Sequence, residues 1–164
     1  MTFAFKKNPK KLQVGSKAPD FALPSHLGGR IRLSDFKGKK NVLLAFFPMA
    51  WTTICTNQIP SYEKELERFE RNNAQVLAVS VDSIPCLQNW QKTLGGITYH
   101  LLSDSSPHGE VSRKYRVLTA SDYSDRVLFL IDKQGIIRYI EQIGVKNLPD
   151  NRHVFDQLHQ IQHS

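Results

Sequence analysis

The sequence predicts one α/β domain: a mixed central β-sheet flanked by helices, with a β-hairpin at its N-terminal end. Strand-like and helix-like segments alternate through the first half of the chain, which is typical of parallel strands joined by helical crossovers. In the second half, two apolar runs flank a turn sequence, which predicts an antiparallel hairpin at one side of the sheet. A length of 164 residues suits a single domain with its own hydrophobic core.

The basic charge of the chain is concentrated at its N-terminal end. Residues 1–40 contain ten Lys or Arg and two Asp, whereas the remaining residues contain twelve basic and thirteen acidic side chains. A basic end could bind nucleic acid or an acidic partner, but we interpret it as a solvated tail and loop. We therefore expect a flexible basic tail over residues 1–12, a single domain over residues 13–164, and no nucleic-acid binding.

Short extended segments open the domain. A segment bounded by Pro19 and Pro24 leads to Gly28-Gly29, and two adjacent glycines are typical of a hairpin turn. The alternating sequence from Ile31 then predicts the returning strand. These residues form the predicted N-terminal β-hairpin.

The central strand and the helix after it hold the first candidate for chemistry. Residues 41–47 are almost entirely apolar, which predicts a strand buried on both faces, and Pro48 ends it because proline cannot donate to a sheet ladder. Thr52 or Thr53 suits the N-cap, so Cys55 falls in the first turn of the next helix. Free backbone N–H groups and the helix dipole favour a thiolate at such a position.

Pro60 interrupts the pattern of this helix. It lacks the N–H that would bond to the carbonyl of Thr56, so we expect it to kink or divide the helix. Apolar side chains at helical spacing still predict one buried face. They are Ile59, Tyr62, Leu66 and Phe69.

A second strand and helix repeat this arrangement. Residues 75–81 are rich in β-branched side chains, which predicts a strand. Asp82 and Ser83 suit the cap of the following helix, and Pro85 suits its first turn. Cys86 therefore also lies at a helix N-terminus, just past the end of a strand.

The remaining elements complete the domain. We expect a third strand or extended loop at 100–104, a short helix at 109–116, paired strands at 127–131 and 136–141, and a final helix from Leu148. This order of elements is that of the thioredoxin fold.

Composition excludes several classes of protein. Two cysteines and six scattered histidines are too few for a disulfide scaffold or a Cys-rich zinc site, so we expect neither a metal nor a cofactor. No apolar run reaches the roughly 18 residues of a membrane span, and the lysine-rich start lacks the apolar core of a secretory signal. We expect a cytoplasmic protein.

Four segments, in their joint order and spacing, resemble peroxiredoxins, the alkyl hydroperoxide reductase and thiol-specific antioxidant family. The resemblance covers residues 13 to about 160. The segments are Gly15-Ser-Lys-Ala-Pro-Asp-Phe, Phe47-Pro-x3-Thr52-x2-Cys55-Thr56, Ser80-Val-Asp-Ser and Arg126-Val-Leu-Phe-Leu-Ile-Asp.

The resemblance implies a thiol-dependent peroxidase that reduces hydrogen peroxide and organic hydroperoxides. The Cys55 thiolate would attack the peroxide and become a sulfenic acid. Arg126 would favour the thiolate and hold the polarised O–O bond, the Thr52 hydroxyl would donate to the thiolate or the peroxide, and Pro48 would wall the pocket. Gln58 is a departure, because the family more often has an acidic residue there.

Each of these residues also has a purely structural interpretation. Thr52 would be only a helix cap and Pro48 only the end of a strand. Arg126 would pair with the neighbouring Asp125. The residues are more informative together than singly, because all three accompany Cys55.

The resemblance leaves the role of Cys86 open. Family members differ in the position of a second, resolving cysteine; here Pro60 stands where the short intrahelical form has it, and no cysteine follows Cys86. Under the resemblance, Cys86 would be the resolving cysteine and would form an intramolecular disulfide with Cys55. The alternative is a buried, inert thiol that packs as a small apolar side chain.

Two other functions remain possible interpretations. A thiol–disulfide oxidoreductase or redox relay would share the fold, but Thr52 stands where the Trp-Cys-x-x-Cys motif of thioredoxin has its first cysteine. A binding module that uses the basic N-terminus is the third. A peroxidase would need a thiol reductant such as thioredoxin or a glutaredoxin-type protein, and a homodimer is compatible with the sequence.

Overall fold

The structure is a computed structural model, and it describes residues 12–162. The predicted tail, residues 1–12, lies outside the described residues except for Leu12. The strands are β1 (Ala22–Pro24), β2 (Arg30–Arg32), β3 (Asn41–Phe46), β4 (Ala74–Ser80), β5 (His100–Ser103), β6 (Val127–Ile131) and β7 (Ile137–Gln142). The α-helices are α1 (Thr53–Lys64), α2 (Leu66–Arg71), α3 (Ile84–Thr93), α4 (Glu110–Lys114) and α5 (Asn151–Gln162), and a 3₁₀ turn spans Leu33–Phe36.

The main sheet has five strands in the order β5-β4-β3-β6-β7. Strands β3, β4 and β5 run parallel, whereas β6 is antiparallel to both β3 and β7. Strands β1 and β2 form a separate antiparallel hairpin. The mixed sheet flanked by helices and the N-terminal hairpin are therefore confirmed.

Strand β3 is buried along its whole length because the sheet is covered on both faces. Leu43, Ala45 and Phe47 point into the core shared with α1, α3 and α5. The alternate residues point into the core on the other face, which the N-terminal hairpin and α4 cover. They are Val42, Leu44 and Phe46.

The prediction was a kink or a division of the first helix at Pro60, and the division is wrong. Helix α1 continues through Pro60 to Lys64, and the break before α2 falls at Glu65. Ile59 and Tyr62, on either side of the proline, are fully buried in the core. Because packing of the apolar face supplies most of the stability of a helix in a protein, it outweighs the one hydrogen bond that proline removes.

Candidate active site

The junction between β3 and α1 sets the position of the first candidate residue. The sheet ladder ends where Phe47 donates its N–H to the carbonyl of Val79, at 2.9 Å, and the buried Pro48 follows. Thr52 is the N-cap of α1 in an extended conformation, with φ −88° and ψ 154°. Cys55 is the third residue of the helix, so its predicted place in the first turn is confirmed.

Cys55 is fully buried and contacts the side chain of Arg126. The Nη1 atom of Arg126 lies 3.3 Å from the Cys55 sulfur, although 71 positions separate the two residues. The antiparallel pairing of β3 and β6 explains this contact. It aligns Phe46, at the end of β3, with Val127, at the start of β6, so the residue before β6 reaches the helix that follows β3.

Three protein groups accept hydrogen bonds from the Arg126 side chain. Besides the Cys55 sulfur, Nη1 donates to Oε1 of Gln58, and Nη2 donates to the carbonyl of Val145 at 3.2 Å. The Asp125 carboxylate accepts the backbone N–H of Arg126, at 2.8 Å, and its other oxygen accepts from Gln142 rather than from the guanidinium. Within residues 12–162 no carboxylate forms an ion pair with Arg126, so its charge is available to the sulfur.

Gln58 is a hydrogen-bond partner of Arg126, a role that the sequence did not predict. In the sequence it was noted only as a departure from the family pattern. It is buried, its Oε1 accepts from Arg126, and its Nε2 donates to the Tyr62 hydroxyl at 3.0 Å. Burial raises the pKa of Tyr62 far above its ordinary value, so this hydroxyl stays protonated. The spacing of three residues from Cys55 and four from Tyr62 places all three on one helix face, and that spacing was the signal available in the sequence.

A pocket of about 310 Å³ opens beside Arg126. The Nε atom of Arg126 is buried and makes no hydrogen bond within the described residues, so the site offers an unused donor. The pocket is otherwise mainly apolar. Its lining residues are Pro48, Met49, Thr52, Thr53, Ile54, Tyr123, Arg126 and Val145.

Thr52 lines this pocket, but among the described residues its hydroxyl makes no hydrogen bond to the Cys55 sulfur. Its hydroxyl donates to the carbonyl of Met49 at 2.7 Å, so the predicted donation to the thiolate is not the bond that the structure shows. The capping interpretation also fails for the side chain, which makes no hydrogen bond to the start of the helix. A hydroxyl has a single hydrogen to donate, and here the nearest carbonyl of its own loop takes it.

Cys86 is the third residue of α3, the same position that Cys55 has in α1. The N-cap Ser83 accepts the N–H of Cys86, and the thiol is half-buried, 3.8 Å from Oδ1 of Asp82. Burial, and next the charge of Asp82, raise the pKa of the Cys86 thiol, while a hydrogen bond from Trp51 acts in the opposite direction. Because β3 and β4 are parallel, both cysteines lie at the same edge of the sheet, as predicted, and both are free thiols.

The fold and the site define a thiol enzyme of thioredoxin-like fold. The model of the AhpC/TSA family matches residues 14–140. Alkyl hydroperoxide reductase E of Mycobacterium tuberculosis is 38% identical over 148 residues, which span 90% of this chain and 96% of that protein. Peroxiredoxin tpx1 of Schizosaccharomyces pombe is 38% identical over 157 residues, which span 90% of this chain and 79% of that protein.

The solved structures agree with the sequence relatives. Reduced 2-Cys peroxiredoxin of Plasmodium vivax superimposes with a TM-score of 0.85 at 32% identity, over 92% of this chain and 82% of that chain. This chain belongs to the AhpC/TSA family. The prediction of a peroxiredoxin, a thiol-dependent peroxidase, is thereby confirmed.

Proposed function

We propose that Cys55 is the cysteine that reduces hydroperoxides and that Arg126 is the residue that activates it. The observation that supports this most strongly is the buried Cys55 sulfur, 3.3 Å from a guanidinium that no carboxylate neutralises in the described part of the chain. A fixed positive charge at this distance favours the thiolate, the reactive form of cysteine. Gln58, a neutral amide, holds the guanidinium without cancelling its charge.

The reaction consumes one thiol and one hydroperoxide. The Cys55 thiolate attacks the terminal peroxide oxygen, an S–O bond forms, and the O–O bond breaks. Negative charge develops on the departing oxygen, and a charged donor beside it stabilises that charge. The free Nε of Arg126 is suited to this role. The departing oxygen takes a proton and leaves as an alcohol or water, and Cys55 becomes a sulfenic acid.

Pro48 and Thr52 shape the pocket in this proposal. Pro48 is buried and has no N–H, so it presents an apolar wall beside the reacting atoms. Thr52 holds the loop through its bond to Met49, and peroxide could also reach its hydroxyl oxygen from the pocket. The apolar side chains of Ile54 and Val145 support the acceptance of organic hydroperoxides as well as hydrogen peroxide.

We expect the purified protein to consume both hydrogen peroxide and cumene hydroperoxide when dithiothreitol is present. The measurement is peroxide loss over time, with each substrate in excess of enzyme. A thiol–disulfide oxidoreductase would instead reduce insulin disulfides without consuming peroxide. That result, or no loss of either peroxide, would contradict the proposal.

Resolution of the sulfenic acid through Cys86 is the second part of the proposal. Parallel pairing places the two cysteines at one sheet edge, and Cys86 packs against the same core cluster as Cys55. A disulfide requires Cα atoms within about 7 Å, so the first turn of α1 would unwind to complete it. That turn is held by few backbone bonds, among them Thr56 N–H to the Thr52 carbonyl at 2.9 Å, and Pro60 offers no further donor.

One equivalent of peroxide is expected to convert the reduced protein to an intramolecular Cys55–Cys86 disulfide. Mass spectrometry of peptides prepared without reductant would detect the linked pair. The Cys86→Ser variant is the control, because it should stop at the sulfenic acid. Accumulation of sulfenic and then sulfinic Cys55 in the unchanged protein, with Cys86 free, would identify a one-cysteine enzyme that depends on an external thiol.

A protein thiol of the thioredoxin or glutaredoxin type would return the disulfide to two thiols in this proposal. No helix within residues 12–162 is long and apolar enough to cross a membrane. A cytoplasmic location and a homodimer stay predictions. Exposed apolar side chains of Met49 and Trp51 beside the active-site loop are compatible with a second chain at this edge.

A further inference from the structure

Asp82 connects the two segments that carry the cysteines. It follows β4, and its Oδ2 accepts the backbone N–H of Ala50 at 2.8 Å and the Ser80 hydroxyl at 2.7 Å. Its Oδ1 lies 3.8 Å from the Cys86 sulfur. One carboxylate therefore contacts both the loop that leads into the Cys55 helix and the thiol that would resolve Cys55.

The position of this carboxylate is fixed by two neighbouring strands. The Ser103 hydroxyl, at the end of β5, donates to the backbone carbonyl of Asp82 at 2.6 Å. Ser80, at the end of β4, accepts the Asp82 N–H at 3.3 Å and donates to the carboxylate. Asp82 is thus a rigid point to which the Ala50 loop is attached.

The attached loop has a strained backbone. Trp51, directly after Ala50, has φ of +69°, a left-handed conformation that a bulky side chain rarely adopts. Its side chain is 54% exposed, so burial contributes little to holding it there. The bond from the Ala50 N–H to Asp82 holds the loop in this conformation together with the Trp51 hydrogen bond to Cys86 and the Thr52 bond to the Met49 carbonyl. Releasing the bond to Asp82 would favour opening.

Other titratable groups near this region are already engaged. On β5 and the loop after it, Asp104 accepts the N–H groups of Val111 and Ser112 at 3.0 and 2.7 Å. His26, whose backbone carbonyl accepts from α3, has its imidazole bonded at one nitrogen to the Ile97 carbonyl and at the other to the Leu101 N–H. Asp82 is the charged group that acts on the Cys86 thiol within the described residues.

We propose that Asp82 is a latch that sets the rate of disulfide formation, because it holds the loop before Cys55 closed and keeps Cys86 as a thiol in the reduced enzyme. This inference rests on the proposed Cys55–Cys86 disulfide. In that step Cys86 loses its proton to solvent and attacks the sulfur of the Cys55 sulfenic acid. The S–S bond forms as the S–O bond breaks, and the departing hydroxide takes a proton to become water. Asp82 opposes both the proton loss and the loop opening.

The Asp82→Asn variant separates the charge from the hydrogen bond. Its amide oxygen still accepts the Ala50 N–H, but the negative charge beside Cys86 is gone. The thiolate of Cys86 should then form at lower pH, and below its pKa each unit of decrease gives tenfold more thiolate with about threefold lower nucleophilicity. We expect disulfide formation at neutral pH to accelerate by about threefold for each unit by which the Cys86 pKa falls. The pH profile of disulfide formation should move to lower pH. Asp82→Ala removes both the bond to the Ala50 N–H and the charge beside Cys86. It should form the disulfide at least as fast as Asp82→Asn.

The experiment follows disulfide formation after one equivalent of peroxide, by acid quench, alkylation and peptide mass spectrometry across pH. Asp156→Asn, an exposed carboxylate on α5, is the charge-matched control and should behave as the unchanged protein. Alkylation of Cys86 in the Cys55→Ser background gives a second readout. Its pH midpoint should fall when Asp82→Asn is added, and this comparison needs no peroxide step.

The outcomes distinguish the latch from the disulfide itself. If the unchanged protein forms the disulfide and Asp82→Asn shows the same rate and pH profile, the latch is wrong and the disulfide stands. A slower disulfide in Asp82→Asn would also overturn the latch, since Asp82 would then assist the step. Absence of the disulfide from the unchanged protein and both Asp82 variants would overturn both proposals.

Discussion

Replacing Cys55 with Ser is expected to abolish hydroperoxide consumption and leave the fold intact. A serine hydroxyl does not ionise near neutral pH, so the nearby guanidinium of Arg126 cannot turn it into a nucleophile. The change exchanges one sulfur atom for an oxygen at a buried site, and the hydroxyl still provides an acceptor for the Nη1 atom. Peroxide loss in the presence of dithiothreitol should fall to the rate of dithiothreitol alone.

The matched control is Cys86→Ser, the other cysteine substitution in the chain. It should retain the first turnover, seen as one equivalent of peroxide lost per protein, because Arg126 donates to the Cys55 sulfur whereas the Cys86 sulfur lies beside Asp82. Far-ultraviolet circular dichroism and thermal unfolding should show both variants folded. Turnover by Cys55→Ser at the rate of the unchanged protein would show that the chemistry lies elsewhere.

Replacing Arg126 with Ala is expected to slow the peroxide step by on the order of 10²-fold, the usual effect of removing a donor aimed at developing charge. The variant lacks the positive charge that lies 3.3 Å from the sulfur, so the donor to the departing oxygen is lost with it. Stopped-flow measurement of peroxide reduction would report the slower step. Arg113→Ala, an exposed arginine on α4, is the control and should leave the rate unchanged.

Loss of Arg126 also leaves the buried Oε1 of Gln58 without this donor, which destabilises the fold by about 1–3 kcal/mol. Gln58→Glu tests the charge without removing the arginine. A carboxylate at this position would share the guanidinium with the sulfur, so peroxide reduction should slow as in Arg126→Ala, but less. An unchanged rate of peroxide reduction in both variants would make Arg126 a purely structural residue.

Much of the secondary structure could be predicted from short stretches of sequence. The apolar run of β3 predicts a buried strand because no face of it could stay in water, and Pro48 ends it because a proline has no donor for the ladder. The threonines and serines after the strands predict where α1 and α3 begin. Cys55 and Cys86 were therefore placed correctly, each as the third residue of its helix.

The structure contradicts two parts of the predictions, the Thr52 bond to the thiolate and the division of α1 at Pro60, and both concern choices among competing interactions. The Thr52 hydroxyl could reach the helix start, the sulfur or its own loop, and only the folded loop brings the Met49 carbonyl to 2.7 Å. Pro60 removes one hydrogen bond from any helix, and whether the helix then breaks depends on how deeply Ile59 and Tyr62 are buried.

The sequence by itself determined the order of the elements, the buried central strand and the position of each cysteine at a helix start, because those depend on residues a few positions apart. Only the tertiary structure decided which groups surround Cys55 and Cys86. The Arg126 guanidinium donates to Gln58 and to the Cys55 sulfur rather than to Asp125. The reason is that β6 pairs antiparallel with β3, which places Arg126 beside the start of α1. The contact of Asp82 with both Ala50 and Cys86 likewise exists because parallel β3 and β4 end at one edge of the sheet, where residues 32 positions apart in the chain meet.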